Sequence, residues 1–305
     1  MKKAKSLIYA LLAAAFYAIN VPMSKLLLYH IEPVTMAALL YLGAGMGIGM
    51  MSFGKKERGE TLTRQDLPFV VGMIVLDIAA PIFLMLGIHC GSSSNSSLLG
   101  NFEMIATTII ALFLFQETIS KRLWTAIVLI TASSILLSLD GADSFKFSYG
   151  SLLVILATIC WGFENNCTRK ISSKNTYEIV VLKGIFSGLG SLIIALIRRE
   201  SMPGFLYIAF AMILGFVAYG LSIFLYVRAQ NTLGAAKTSA CYAIAPFIGA
   251  FLSFVILHER LTGRYLVALG IMIAGTMLVA ADTLTQSQAH QQHSKEDPKK
   301  LTLHQ

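Results

Sequence analysis

The chain has 305 residues, of which 56% are hydrophobic and only 13% are charged, and its net charge is +8. A soluble domain of this length covers its core with charged side chains, and 24 basic and 16 acidic residues are too few to do so. With a mean hydropathy of +0.70, the composition excludes a soluble enzyme, a disordered scaffold and a secreted disulfide module. The positive charge is typical of the cytoplasmic loops of a membrane protein and does not indicate nucleic-acid binding.

Apolar segments follow one another along the whole chain. A transmembrane helix needs roughly 20 apolar residues, so ten of them and short loops account for the length. The segment after Lys2, Lys3 and Lys5 resembles a signal peptide, but its apolar run continues to Leu28 and predicts a retained first span. The ten predicted spans are residues 6–28, 33–53, 67–88, 96–115, 122–139, 149–168, 177–197, 204–226, 236–256 and 264–282.

Basic residues are unevenly distributed between the predicted loops. With the N-terminus placed in the cytosol, 17 Lys and Arg residues fall on the cytosolic side and 6 on the other. Cytoplasmic loops carry the excess of basic residues in membrane proteins. The distribution therefore predicts a multi-pass protein of the plasma or inner membrane, with both termini cytoplasmic.

The two halves of the chain repeat one another. Residues 111–140 align with residues 253–282 without a gap at an offset of 142, and near the start of each half the offset is 144. We predict a first repeat over 1–144, a second over 145–282, and a disordered cytoplasmic tail over 283–305. Because each repeat has five spans, an odd number, the second enters the membrane from the opposite side, as in many secondary transporters. The predicted fold is an all-α membrane protein whose ten transmembrane helices form two inverted five-helix repeats; a duplicated scaffold without transport is the alternative.

Several short sequence features recur in both halves. They are Tyr17-Ala18 with Asn20 and Lys25, their second copy Trp161-Gly162 with Arg169, the Ala245-Pro246 pair of span 9, and the segments Glu117-Thr118-Ile119 and Glu259-Arg260-Leu261. In these features the chain resembles the drug/metabolite transporter superfamily, in its ten-span EamA-type branch. The resemblance implies export of small metabolites or drugs, usually coupled to an ion or to exchange. The chain departs from the family at Tyr41, where a basic residue is common, and at Met104, where the second repeat has a proline.

Three acidic residues fall inside predicted spans. They are Asp77 at the middle of span 3, Glu103 in span 4 and Glu164 in span 6. A charge at the bilayer centre costs at least about 2.5 kcal/mol, so each should face a cavity or a partner. One interpretation is a proton relay or a counter-ion for a cationic group of the substrate. The other is a neutral acid that hydrogen-bonds between helices.

Helical spacing groups polar and small residues into stripes. The stripes are Ser96, Gly100, Glu103, Thr107 and Ala111 on span 4; Thr238, Tyr242, Ala245, Gly249 and Ser253 on span 9; Gly215, Tyr219, Ser222 and Tyr226 on span 8; and Trp161, Glu164, Asn165 and Thr168 on span 6. We interpret them as the lining of one central cavity, although such stripes also serve helix packing. The residues predicted to carry the substrate pathway or coupling are Tyr17, Asn20, Asp77, Glu103, Trp161, Glu164, Asn165, Tyr219 and Tyr242.

Other polar and small residues favour structural roles. The glycines of spans 2 and 7 (Gly43, Gly45, Gly47 and Gly49; Gly184, Gly188 and Gly190) predict close helix packing. Glu117 and Glu259 each precede a helix whose free amides they could cap, with gating as the alternative. Lys183 in span 7 could extend toward the membrane surface, pair with an internal acid, or lie on the substrate path.

These observations together predict a secondary transporter that exports small metabolites or amphipathic drugs by alternating access, either proton-coupled or by exchange. A passive channel or facilitator is the alternative, but a channel needs a continuous polar lining. No nucleotide-binding loop, HExxH or Ser/His/Asp arrangement occurs in the sequence, so we expect neither an enzyme nor a cofactor or metal. The expected partners are a small-molecule substrate and lipid, in a monomer or homodimer.

Overall fold

The computed structural model describes residues 2–53, 60–115, 120–140, 146–171, 174–233, 238, 241–259 and 262–296. The helices of the first half are α1 (Lys2–Ala18), α2 (Asn20–Leu27), α3 (Pro33–Ser52), α4 (Leu67–Cys90), α5 (Ser93–Leu99), α6 (Phe102–Phe115) and α7 (Lys121–Ser138), and a 3-10 turn, Arg64–Asp66, precedes α4. Two-residue strands, β1 (Leu139–Asp140) and β2 (Lys146–Phe147), pair antiparallel between the halves.

The second half is also built of helices. Its helices are α8 (Tyr149–Lys170), α9 (Thr176–Ile197), α10 (Phe205–Gly215), α11 (Ser222–Leu233), α12 (Ala245–Leu257) and α13 (Gly263–Glu296), and a π-helical segment, Phe216–Leu221, joins α10 to α11. Because α13 continues to Glu296, residues 283–296 are helical. Residues 297–305 lie outside the described residues.

Eight stretches of the described residues are long and apolar enough to cross a membrane. They are Ala4–Leu27, Pro33–Ser52, Arg64–Cys90, Ser93–Phe113, Lys121–Ser138, Thr176–Ile197, Phe205–Tyr226 and Gly263–Asp282. The other two predicted spans correspond to α8, whose second half carries Glu164, Asn165 and Asn166, and to α12, which has only 13 residues. Large apolar side chains remain exposed on the outside of the bundle, among them Phe205 at 85% and Phe113 at 77%. Such a surface is expected only where lipid replaces water, so the fold is that of a multi-pass membrane protein.

The most extensive helix contacts join one half of the chain to the other. Helix α3 packs along α9, α4 along α8, α7 along α13, and α1 along α11, while α5 packs on α12 and α6 on α8. The α3–α9 contact is close because glycines face each other. A Cβ atom on Gly184 would lie 2.5 Å from the Gly45 backbone, and one on Gly45 would lie 2.7 Å from the Ile185 amide nitrogen. The predicted packing role of these glycines is confirmed.

Carboxylates join the two halves at one end of the bundle. Glu200 accepts hydrogen bonds from the amides of Val34 and Thr35, at 3.3 and 2.7 Å, and so caps the start of α3. In return, Glu32 accepts hydrogen bonds from the amide and hydroxyl of Ser201, at 3.0 and 2.8 Å. These two donors hold the pKa of the Glu32 carboxyl below its ordinary value.

Glu259 makes a third connection at the same end. It accepts hydrogen bonds from the amides of Ser93 and Ser94, at 2.7 and 2.9 Å, and caps the start of α5. The predicted capping role is therefore right in kind, but the capped helix belongs to the other repeat and does not follow Glu259 in the chain. Glu117 lies outside the described residues. We call Glu32, Glu200 and Glu259 the cap carboxylates.

The opposite end of the bundle is joined by a different set of contacts. Lys174, between α8 and α9, contacts the carboxylates of Glu60 and Asp66 at 3.1 and 3.6 Å, and the Glu60 hydrogen bond is the main reason that the pKa of Lys174 is raised. Ser120, before α7, donates to Asp282 of α13 at 2.5 Å. Both ends are thus bridged by polar contacts between the two halves.

Candidate functional site

A buried ion cluster lies where α4, α8 and α9 meet. The ammonium of Lys183 is 3.1 Å from Asp77 Oδ2 and 3.0 Å from Glu164 Oε1, and these two side chains are 0% and 2% exposed. The Tyr41 hydroxyl donates to Asp77 Oδ1 at 2.9 Å, and the Thr168 hydroxyl donates to Glu164. Two carboxylates therefore share one ammonium. Burying these three charges is costly unless the geometry of the ion pairs is good. When all three groups are ionised, the cluster carries a net charge of −1.

Proline affects the backbone beside Asp77. Pro81 lies inside α4 and has no amide hydrogen, so the carbonyl of Asp77, four residues earlier, lacks its helical donor. Pro246 stands in the first turn of α12, where the missing amide hydrogen costs no helical hydrogen bond. The loss of a helical hydrogen bond to proline therefore concerns Asp77.

Glu103 has a separate set of partners. It lies in the first turn of α6, and the Asn165 side-chain amide of α8 donates to its carboxylate at 2.8 Å and to the Thr107 hydroxyl at 3.2 Å. Asn166 donates to the Thr107 carbonyl at 3.1 Å. Within the described residues, no Lys, Arg or His lies within ion-pair distance of Glu103. This carboxylate is therefore held by neutral donors alone.

Tyrosines from both halves form an aromatic wall beside these acids. Tyr17 packs against Tyr219 and Tyr242, with ring centroids 5.9 and 5.7 Å apart, and Tyr41 lies 5.3 Å from Tyr219. The Asn20 side chain donates to the Tyr219 hydroxyl at 2.9 Å. The indole N–H of Trp161 points to the Tyr41 hydroxyl at 3.4 Å. The wall is apolar on its ring faces and polar at its hydroxyl tips.

Breaks in the helices coincide with these residues. Asn20 begins α2 after the break at Ile19, Glu103 follows the break at Gly100–Asn101, and Tyr219 lies within the π-helical segment. Interrupted helices expose backbone groups, and in transporters they surround substrate and ion sites. Single π-helical turns are likewise frequent at functional sites. The backbone irregularities therefore mark the same region as the side chains.

A narrow cavity adjoins the ion cluster. It is lined by Tyr41, Ala44, Val180, Lys183, Gly184, Tyr219 and Ile223. The cavity thus brings the Lys183 side chain, two tyrosine rings and aliphatic groups to one surface. Within the described residues, no group of three or more His, Cys, Asp or Glu is placed to hold a metal ion.

The structure brings the nine predicted site residues into one region, but in several groups. The ion cluster contains Asp77 and Glu164, and Trp161 contacts its partner Tyr41. A second group is the hydrogen-bonded pair of Glu103 and Asn165. The aromatic wall contains Tyr17, Asn20, Tyr219 and Tyr242. The predicted stripes are divided between lining and packing. Ser253 bonds Ser93 at 2.8 Å, and a Cβ on Gly215 would lie 2.0 Å from the Leu40 carbonyl, so both serve helix contacts.

Lys183 and Tyr41 are the site residues that the sequence analysis did not include. Of the roles considered for Lys183, the structure selects pairing with internal acids. A signal was present, because the offset of 142 that relates Asp77 to Tyr219 also relates Tyr41 to Lys183. Both members of both pairs lie in the site, so the offset relates the two missing residues to each other as it relates the two predicted ones.

A multi-pass helical protein whose two matching halves enclose ionic and aromatic side chains has the features of a membrane transporter. A model of the EamA-like transporter family matches the chain twice, over residues 4–139 and 148–281. The chain belongs to this family, and it is a membrane transporter. The members of this family are transporters and not enzymes.

Two further similarities agree with this assignment. A protein from Methanothermobacter thermautotrophicus, described as an uncharacterized transporter, is 22% identical over 301 residues, which cover 92% of this chain and 87% of the relative. A solved crystal structure superposes with a TM-score of 0.66 at 14% sequence identity, covering 90% of this chain and 94% of the other. The latter similarity concerns the fold alone.

Proposed function

We propose that the protein is a secondary transporter with ten membrane crossings in two inverted repeats, and that it exports small metabolites or amphipathic drugs by alternating access. The observation that carries the proposal is the repeated constellation in the site. Asp77 contacts Lys183, and the residues related to them by the offset of 142, Tyr219 and Tyr41, also contact each other. The centre of the molecule is therefore built from equivalent positions of both repeats.

The packing of the helices supports the same symmetry. Exchanging the repeats turns the α4–α8 contact into the α1–α11 contact, and the α6–α8 contact into the α1–α12 contact, and all four are present. The α3–α9, α7–α13 and α5–α12 contacts exchange into themselves. Five crossings per repeat place the second repeat in the membrane with the opposite orientation. When the two repeats exchange their conformations, the centre therefore opens to the opposite side of the membrane.

The position of the ionic groups favours a carrier over a channel. Both ends of the bundle are bridged by contacts between the halves, and the ionic groups lie between these ends. A carrier needs such a closed centre, which opens to one side at a time. The tyrosine wall and the acids suit a small solute with an apolar body and a polar group, such as an amphipathic drug or metabolite.

Counterflow in proteoliposomes tests this function. Vesicles are loaded with one unlabelled compound from a panel of amino acids, nucleosides and polyamines, and the uptake of a trace of the same labelled compound is followed. A carrier gives transient accumulation that saturates with concentration, because its site must return across the membrane loaded. A passive channel gives simple equilibration without overshoot, and this result for every transported compound would replace the proposal.

The predicted orientation has its own test. Tyr29, between α2 and α3, and Phe53, after α3, are 73% and 89% exposed and lie at opposite ends of α3. In a background without Cys90, Cys160, Cys167 and Cys241, a membrane-impermeant maleimide should label Tyr29→Cys in intact cells and Phe53→Cys only after lysis. The reverse pattern would place the N-terminus outside and refute the predicted orientation.

A further inference from the structure

Lys183 occupies the position that a positively charged ligand would take. Its ammonium lies 3.1 Å from Asp77 and 3.0 Å from Glu164, and only 17% of its side chain is exposed. Asp77 Oδ2 is fully buried, and among the described residues it accepts no hydrogen bond of good geometry. Its polar contact is therefore the ion pair with the Lys183 ammonium. The chain itself thus shows which chemistry the two carboxylates bind, namely an alkylammonium group.

A small cavity of about 10 Å³ borders Lys183, and it must widen before it can hold an organic body. The Lys183 side chain forms one wall of the cavity, and the other walls include the rings of Tyr41 and Tyr219 and the aliphatic groups of Val180 and Ile223. A lysine side chain has four rotatable bonds and a compact charge, so its ammonium can leave the carboxylates at low cost when another cation replaces it. Aromatic faces also attract an organic cation.

The net charge decides between a cationic and an anionic ligand. With all groups ionised, Asp77, Glu164 and Lys183 together carry one negative charge, and Glu103, close enough to Glu164 and Lys183 to interact electrostatically, adds a second. An anion would have to bind an ammonium that two carboxylates already neutralise, and it would increase the excess of negative charge. A cation would reduce that excess in the buried region.

We propose that the transported substrate is an organic amine that binds Asp77 and Glu164 as its ammonium form, and that Lys183 is an internal competitor which occupies this site when it is empty. The proposal rests on the proposed transport function and names its substrate class. The apolar body of the amine packs against Tyr41, Tyr219 and Val180, where the small cavity widens as Lys183 moves away. The return of Lys183 to the carboxylates displaces the amine and keeps the empty carrier electrostatically balanced.

Three probes with one phenylethyl body separate the possible charges. They are 2-phenylethylamine, 3-phenylpropionate and 2-phenylethanol, and their binding to purified full-length protein in detergent is measured by calorimetry or thermal stabilisation. The amine should bind in preference to the carboxylate and the alcohol. Preference for the carboxylate, or no binding of 2-phenylethylamine and of longer aliphatic monoamines, would overturn the proposal.

Substitution of Lys183 gives the sharpest result. Lys183→Met keeps the length of the side chain and removes the competitor, so 2-phenylethylamine should bind more tightly, by on the order of tenfold. Lys183→Arg keeps a cation and should bind no more tightly than the wild type, whereas Asp77→Asn should lose amine binding. Weaker amine binding by Lys183→Met would contradict a competitor role.

Lys183→Met could fail to fold because it leaves two buried carboxylates without a counter-ion, so a second variant is needed. Lys183→Met combined with Glu164→Gln retains one carboxylate and therefore the net charge of the wild-type cluster. It should bind the amine at least as tightly as the wild type, and loss of binding would refute the proposal. If the protein binds amines but shows no counterflow, the proposed transport function is refuted and the amine site is not. If it shows counterflow of anions, transport stands and the proposed amine substrate is refuted.

Discussion

The central and the cap carboxylates differ in the partners that bind them. In the centre, Asp77 and Glu164 are bound by the Lys183 ammonium and by side-chain hydroxyls. At one end, Glu200 and Glu259 are bound mainly by backbone amides at the starts of α3 and α5. Backbone amides at a helix start are fixed in place and need an acceptor in every state. Side-chain partners can move away, so we assign exchangeable binding to the centre and structural linkage to the end.

Removing a central carboxylate should give the largest effect on transport and a small effect on folding. Asp77→Asn leaves Lys183 paired with Glu164, so the remaining cluster is neutral and its burial is not made worse. Hydrogen bonds to charged groups contribute about 1.5–3 kcal/mol, which corresponds to a loss of tenfold or more in substrate affinity. Counterflow and gel filtration of the purified variant measure the two effects, and normal counterflow would show that Asp77 is structural.

Removing a cap carboxylate should have the opposite effect. Glu200→Ala leaves the amides of Val34 and Thr35 without their acceptor and should lower the free energy of unfolding by about 1–2 kcal/mol. Glu200→Gln keeps an acceptor oxygen and serves as the matched control with a smaller loss. Thermal unfolding in detergent and counterflow per folded molecule are compared. A stable variant that no longer transports would assign Glu200 to the transport mechanism instead.

Glu103 tests whether proton coupling occurs at a site separate from the ion cluster. Glu103→Gln keeps an acceptor for the Asn165 amide but cannot bind or release a proton. We expect the variant to fold normally and to transport at a rate that no longer depends on pH, since a carboxyl group within the membrane-spanning bundle is a candidate for coupling. Uptake measured across imposed pH gradients gives the answer. A wild-type pH profile would leave Glu103 as a hydrogen-bond partner of Asn165.

Glu32 should give the smallest effect, because it lies at the surface and its linkage is accessible to water. Its folded-state pKa is lower than the ordinary 4.5, since the amide and hydroxyl of Ser201 bind the ionised form. The stability contribution is therefore complete above about pH 4.5 and is lost as the pH falls through the folded-state value. Melting curves of Glu32→Gln and the wild type should differ slightly at neutral pH and converge in acid. A difference that grows in acid would contradict this sign.

The sequence predicted a multi-pass helical protein and named most residues of the candidate site, because lipid imposes simple rules. Hydropathy located the helices, and the cost of a charge in the bilayer identified Asp77, Glu103 and Glu164 without any structural information. Tyr17, Tyr219 and Tyr242 followed from helical spacing and the repeat. These rules concern single helices and need no knowledge of which helices are neighbours.

Features that depend on contacts between helices could not be predicted in the same way. The position of Lys183 in span 7 left several roles open, and only the approach of α4 and α8 to α9 shows its two partners. Likewise, nothing local to Glu259 indicates that it caps α5 and not the following helix. The helical extension of α13 to Glu296 also escaped prediction, since polar composition alone does not distinguish a solvated helix from a disordered tail.

Access to the centre from both sides, impeded by a bound substrate, is the property that alternating access requires. Ala44 lines the cavity beside Lys183 and Tyr219, so Ala44→Cys in the cysteine-free background places a small reactive group there. Labelling by an impermeant maleimide is measured in right-side-out and inside-out vesicles. The account predicts labelling from either side, slowed in both cases by a transported substrate. Labelling from one side only, unaffected by substrate, would contradict alternating access.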